Sequence, residues 1–156
     1  MKEEQSRDPV AARKKAMDYL ARREHGRAEL ATKLGQAGFE PDVVETTIEQ
    51  LVADGLQSDA RFVEAWVSSR IGQGKGPERI RAELRQRQVA EAAIDEGIAA
   101  AAADWVGLAR AARQRKFGSE LPGDFPARAK QMRFLQYRGF EADQVRAAVS
   151  TDDDSA

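Results

Sequence analysis

The chain has 156 residues, enough for a domain with a real core. Its net charge of −1, with 33% charged and 42% hydrophobic residues, means that the whole molecule is not drawn to DNA as a basic body. Cysteine is absent, which excludes disulfides and thiolate metal sites. No apolar run approaches the roughly 20 residues that span a bilayer. The charged start MKEEQSRDPV also lacks a signal core, so the expected location is cytoplasmic.

Residues 1–12 are expected to be a flexible lead, and a first helix is predicted over Arg13–Arg23. In PDVVETTIEQLVADG, Val44, Ile48, Leu51 and Val52 fall at i, i+4, i+7 and i+8, one buried stripe. Pro41 suits the first turn of that helix and Gly55 the position after it. SDARFVEAWVSSRI predicts a helix over Ser58–Ile71 that Ser58 or Asp59 caps, with Phe62, Trp66 and Val67 at helical spacing. Next comes RIGQGKGPERIRAELRQRQV, with a glycine cluster at Gly72–Pro77. A phosphate loop needs G-x-x-x-x-G-K-[ST] after a strand, but here Lys75 is followed by Gly76 and the cluster follows a helix. The cluster is therefore a joint, with Pro77 in the first turn of the next helix. A further helix is predicted over Asp104–Phe117. GSELPGDFP (118–126) is the longest irregular stretch and is expected to be the most mobile. No segment shows β-branched alternation, and the fold class is all-α.

The pattern repeats. With an offset of 50, Leu30, Leu34, Phe39, Val44 and Ile48 meet Ile80, Leu84, Val89, Ile94 and Ile98. With an offset of 101, Leu34, Gly38, Phe39 and Val44 meet Leu135, Gly139, Phe140 and Val145, while Leu30 meets Gln131. The reading is three tandem three-helix units, 13–55, 56–103 and 104–150, followed by an acidic disordered tail at 151–156. Units this small must share apolar surface, so an elongated, curved stack is expected. Leu34, Leu84 and Leu135 should be buried at equivalent places.

Charge follows the repeat. Arg13–Lys33, Arg70–Arg87 and Arg110–Arg138 carry net charges of +4, +4 and +6, whereas Glu40–Asp54 and Glu91–Asp104 carry −5 and −4. In-register stacking would align a basic stripe. Its candidate partner-binding residues are Arg70, Lys75, Arg79, Arg81, Arg85 and Arg87 in the second unit. In the third they are Lys116, Arg128, Lys130, Arg133 and Arg138. Arg81 and Arg85 should share an exposed flank beside the core face of Ile80 and Leu84. An elongated basic stripe fits an anionic partner, either a nucleic acid or a protein filament with acidic patches.

No active site is legible. His25, the single histidine, has no second histidine or cysteine for a metal, and a cap or surface role is expected. Trp66 and Trp105 read as core residues, and nothing assembles a nucleophile, base and orienting group. Neither cofactor nor metal is expected.

LARREHGRAELATKL…GF, DARFVEAWVSSRIGQGKGPERIRAELRQRQV and RKFG…RAKQMRFLQYRGF resemble the RecX family of bacterial recombination regulators over Lys15–Val149. The resemblance implies three tandem three-helix units and a non-enzymatic function. It implies binding to the RecA recombinase and its filament on single-stranded DNA, with inhibition of strand exchange, ATP hydrolysis and LexA self-cleavage. The chain departs from the family pattern at Gln131 and at Gln88, where the joint often has glycine. A monomer is expected, with weak direct DNA binding at most. A DNA-binding protein built on helix-turn-helix-like units is the alternative, against which stand the net charge and the sparse aromatics.

Overall fold

The computed structural model describes residues 3–150, so the tail expected at 151–156 lies outside the described residues. Among those residues the regular structure is all helical. After α1 (Glu3–Ser6) come three sets of three. These are α2 (Pro9–Arg22), α3 (Arg27–Gln36) and α4 (Pro41–Ala53); α5 (Asp59–Gly72), α6 (Pro77–Gln86) and α7 (Glu91–Ala101); and α8 (Trp105–Phe117), α9 (Phe125–Tyr137) and α10 (Ala142–Ala148).

Helix α2 starts before the predicted Arg13. Asp8 caps it by accepting the Val10 N–H at 2.9 Å, Pro9 fills the first turn, and Ala12 is buried. Pro9–Ala12 are therefore part of the first helix and not of a flexible lead.

The chain forms two compact units. One takes the described residues up to Ala65 with Leu84–Gly97, and the other takes Trp66–Glu83 with the residues from Ile98 onward. The middle set of helices contributes to both. In the first unit Ala12 and Ala16 of α2, Leu30 and Leu34 of α3, and Val44, Ile48 and Leu51 of α4 form one core with Phe39. In the second, Ala109 and Ala112 of α8 pack with Leu135 of α9 and with Phe140, Val145, Ala148 and Val149. Leu34, Leu84 and Leu135 are each 0% exposed, as the repeat predicts.

The joint between second and third helix is built the same way each time. The N–H groups of Phe39, Val89 and Phe140 donate to the carbonyls of Leu34, Leu84 and Leu135, each at 3.2 Å. The preceding residue has positive φ: Gly38 at 105°, Gln88 at 60° and Gly139 at 99°. This is a helix-ending turn that favours glycine, and Gln88 adopts it with a side chain in place.

In the second unit the start of α6 docks on the joint after α9. The N–H groups of Gly76 and Glu78 donate to the carbonyls of Arg138 and Gly139, both at 2.9 Å. Orphan donors of a helix start thus meet orphan acceptors of a helix end. A methyl group at Gly76 would sit 2.5 Å from the Gly139 carbonyl, so both glycines allow the approach.

Gln131, the departure from the apolar repeat, also has a physical reason. It is buried beside Arg113, whose side chain is likewise buried. Arg113 Nη1 donates to the carbonyls of Gly118 at 3.3 Å and Glu120 at 3.0 Å, and lies 3.5 Å from Gln131 Oε1. The irregular 118–124 stretch is thereby tied to α8, with a polar residue on α9 facing the buried guanidinium.

Candidate functional site

The eleven candidate cations do not share one environment. Arg85 and Arg87 belong to the first compact unit, and the other nine belong to the second. Several are held by acids of their own unit. Arg70 and Lys75 both reach Glu83 Oε2 at 3.2 Å, and the Arg70 guanidinium lies 3.9 Å from the Trp66 ring centroid. Arg81 lies 3.8 Å from Glu78, Arg87 lies 3.7 Å from Glu29, and Arg85 pairs with Glu91. The shared exposed flank expected for Arg81 and Arg85 is corrected: Arg81 is 22% exposed and Arg85 51%. Arg81 faces acids of its own unit, Glu78 one turn back on α6 and Glu141, whose charged form it favours.

The cations of α8 and α9 differ. Lys116, Lys130 and Arg133 are exposed, and Arg128 and Arg138 are half-buried. Arg128 donates to Ser150 Oγ at 3.2 Å, Arg138 to the Gln73 carbonyl at 3.4 Å, and Arg79 to the Tyr137 carbonyl at 3.3 Å. These partners are neutral oxygens and leave the positive charge uncompensated. Residues 105–140 contain only two acids, Glu120 and Asp124, and the Asp124 carboxylate caps α9 through the Ala127 N–H at 2.8 Å.

Two residues of this surface were missed in the sequence. Tyr137 is 76% exposed, with the Arg79 guanidinium 5.4 Å from its ring centroid. Its signal was available: it falls two positions after buried Leu135, about 200° round the helix and away from the core. Arg115 is exposed and lines a cleft with Lys116 and Arg138.

His25 is also corrected: it is buried rather than superficial. Its Nδ1 lies 3.1 Å from the Arg23 carbonyl and its Nε2 lies 2.8 Å from Lys33 Nζ. A carbonyl only accepts and an ammonium only donates, so the ring is neutral with its proton on Nδ1. Burial, followed by the nearby Arg23 and Lys33 charges, pulls its pKa below the usual histidine value. The neighbouring Glu29 carboxyl is also lowered: burial pushes it up, but hydrogen bonds from Arg23 and the positive charges around it prevail. The cluster is a structural plug, closed by Gln57 Nε2 on the His25 carbonyl at 3.1 Å.

Among the described residues no group of acids and histidine is placed to hold a metal, and no helix is long and apolar enough to cross a membrane. An open, mostly apolar groove of about 680 Å³ beside α3 and α4 is rimmed by Arg27, Glu45 and Asp59. The Asp59 carboxylate is committed to the Arg27 N–H at 2.7 Å and the Gln57 amide at 3.0 Å, so the groove presents no acid–base pair.

Comparison with known proteins accounts for each set of helices. The first, second and third three-helix domains of RecX match residues 12–51, 58–98 and 104–149. The chain is 49% identical over 144 residues to the "Regulatory protein RecX" of Halorhodospira halophila, covering 92% of this chain and 89% of that one. It is 48% identical over 141 residues to the protein of that name from Pseudomonas fluorescens, covering 90% and 91%. Among solved structures, RecX from Lactobacillus salivarius superposes with a TM-score of 0.74 at 20% identity, covering 90% of this chain and 94% of that one. A second crystal structure of regulatory protein RecX gives 0.74 at 21%, covering 88% and 70%. Three domain matches in order, and relatives nearly half identical over most of their length, show that the chain belongs to the RecX family.

Proposed function

We propose that the protein is a non-enzymatic, monomeric, cytoplasmic regulator of the RecA recombinase. It binds the RecA filament on single-stranded DNA and inhibits strand exchange, ATP hydrolysis and co-protease activity. The carrying observation is the acid-poor cation surface of α8 and α9, whose stretch of sequence, residues 105–140, contains only Glu120 and Asp124 as acids. Such a surface suits a polyanionic partner, speeds encounter and weakens with salt. Arg70, Lys75, Arg81, Arg85 and Arg87 play a lesser part, because acids of the protein already hold them.

The test is RecA ATP hydrolysis on single-stranded DNA, with increasing amounts of the protein. Lys130→Glu with Arg133→Glu should abolish most of the inhibition. Glu45→Lys with Glu49→Lys, an equal reversal on exposed positions of α4, should leave it near the parent level. Equal inhibition by parent and the α9 variant would exclude this surface, and no inhibition by the parent would exclude the function.

A further inference from the structure

A cleft of about 160 Å³ opens in the second unit between the α5–α6 joint, α8 and α9. Gln73 and Gly74 form one wall, Arg115 and Lys116 another, and Phe134 and Arg138 the third. Three cations converge there, and no ion pair joins any of them to a carboxylate among the described residues. Elsewhere the protein neutralises such groups, as Glu83 does for Arg70 and Lys75. Two of the three are held over one ring: Lys116 Nζ lies 5.9 Å and the Arg138 guanidinium 5.3 Å from the Phe134 centroid. The ring in turn meets Phe117 edge-on at 5.4 Å. Cation–π attraction offsets part of the mutual repulsion and fixes the charges in place. An anion in the cleft would remove the rest.

Tyr137 indicates the kind of anion. It lies next to Arg138 in the chain and three residues beyond Phe134, with its ring exposed and flanked by Arg79. An exposed ring among cations stacks on bases while the cations hold the backbone. An acidic peptide would use the cations but leave the ring idle.

We propose that this cleft binds a backbone phosphate of single-stranded nucleic acid and that Tyr137 stacks on an adjacent base. The proposal rests on the filament-binding reading and names what this surface touches within the filament: the strand itself.

The experiment measures fluorescence anisotropy of a labelled oligothymidylate with the full chain alone, without RecA, across a salt series. Arg115→Gln with Lys116→Gln should weaken binding and reduce the log–log salt slope by about 0.7, the share of the one phosphate that the cleft holds. Tyr137→Ala should weaken binding roughly 5- to 150-fold with the slope unchanged, as loss of a stacked base does. Lys14→Gln with Arg22→Gln, an equal charge change on exposed positions of α2, should bind like the parent. All three alter exposed side chains, and circular dichroism confirms folding. The proposal is overturned if the parent does not bind the oligonucleotide, if the cleft variant binds like the parent, or if the α2 variant loses as much. It is also overturned if polyglutamate competes as well as the oligonucleotide, which would assign the cleft to an acidic protein segment. RecA inhibition measured alongside separates the two readings: oligonucleotide binding without inhibition by the parent keeps the cleft and removes the filament function. Inhibition without oligonucleotide binding does the reverse.

Discussion

At the scale of single residues, His25 illustrates how burial turns a titratable group into a pH-dependent liability. Its folded pKa lies below 6.5, so the unfolded chain takes up a proton more readily than the folded one. Stability attributable to His25 is complete above 6.5 and declines as the pH falls from there toward the folded value. The melting temperature should therefore drop as the pH falls below 6.5. His25→Gln should flatten that step, because an amide can donate to Arg23 and accept from Lys33 without titrating. An unchanged step in the variant would assign it to another group. Nothing in RREHGRAEL revealed this burial. Tyr19 and Lys33, which meet the ring, lie just outside that stretch, and Gln57, which holds the His25 carbonyl, is 32 residues away; they come together only after α2, α3 and the segment before α5 have packed.

At the scale of elements, the joints give the sharpest expectations. Leu84→Ala should cost about 2–5 kcal/mol by chemical denaturation, as deep leucine truncations do, because Leu84 is 0% exposed. Gly139→Ala should cost about 1–3 kcal/mol, since φ is 99° and the added methyl group meets Arg79 backbone and Cβ atoms. Gly123→Ala, with nothing within 4 Å and no positive φ, is its control. Gln88→Gly should raise stability slightly, by up to about 1 kcal/mol, because a left-handed conformation costs an ordinary residue about that much. A loss instead would mean that the Gln88 side chain makes contacts worth more than the strain. The helices and their order were legible because apolar spacing and the glycine joints recur at fixed offsets. Arg113 was not, since a charged residue on a helix reads as surface. Gln131 marked the place, but only the carbonyls of Gly118 and Glu120 explain why a guanidinium is tolerated inside.

At the scale of the whole molecule, a net charge of −1 conceals a strong separation. Regional sums over the sequence revealed the basic stretches, but they did not distinguish cations held by Glu83 or Glu91 from those left uncompensated on α8 and α9. That distinction depends on side-chain direction, which composition lacks. It also yields a prediction: inhibition of RecA should weaken steeply between about 50 and 200 mM salt. The stability of the free protein should change little over that range, since its exposed ion pairs contribute little. The docking of α6 on the joint after α9 bears on this differently. Its hydrogen bonds run from the amides of Gly76 and Glu78 to the carbonyls of Arg138 and Gly139. Those two bonds are independent of side-chain identity, whereas the Arg79 and Arg138 side chains add hydrogen bonds across the same seam to the Tyr137 and Gln73 carbonyls. The residues that give the surface its charge therefore also help to fasten it, and only the Tyr137 side chain, which makes no hydrogen bond across the seam among the described residues, can be exchanged to retune recognition without loosening the support.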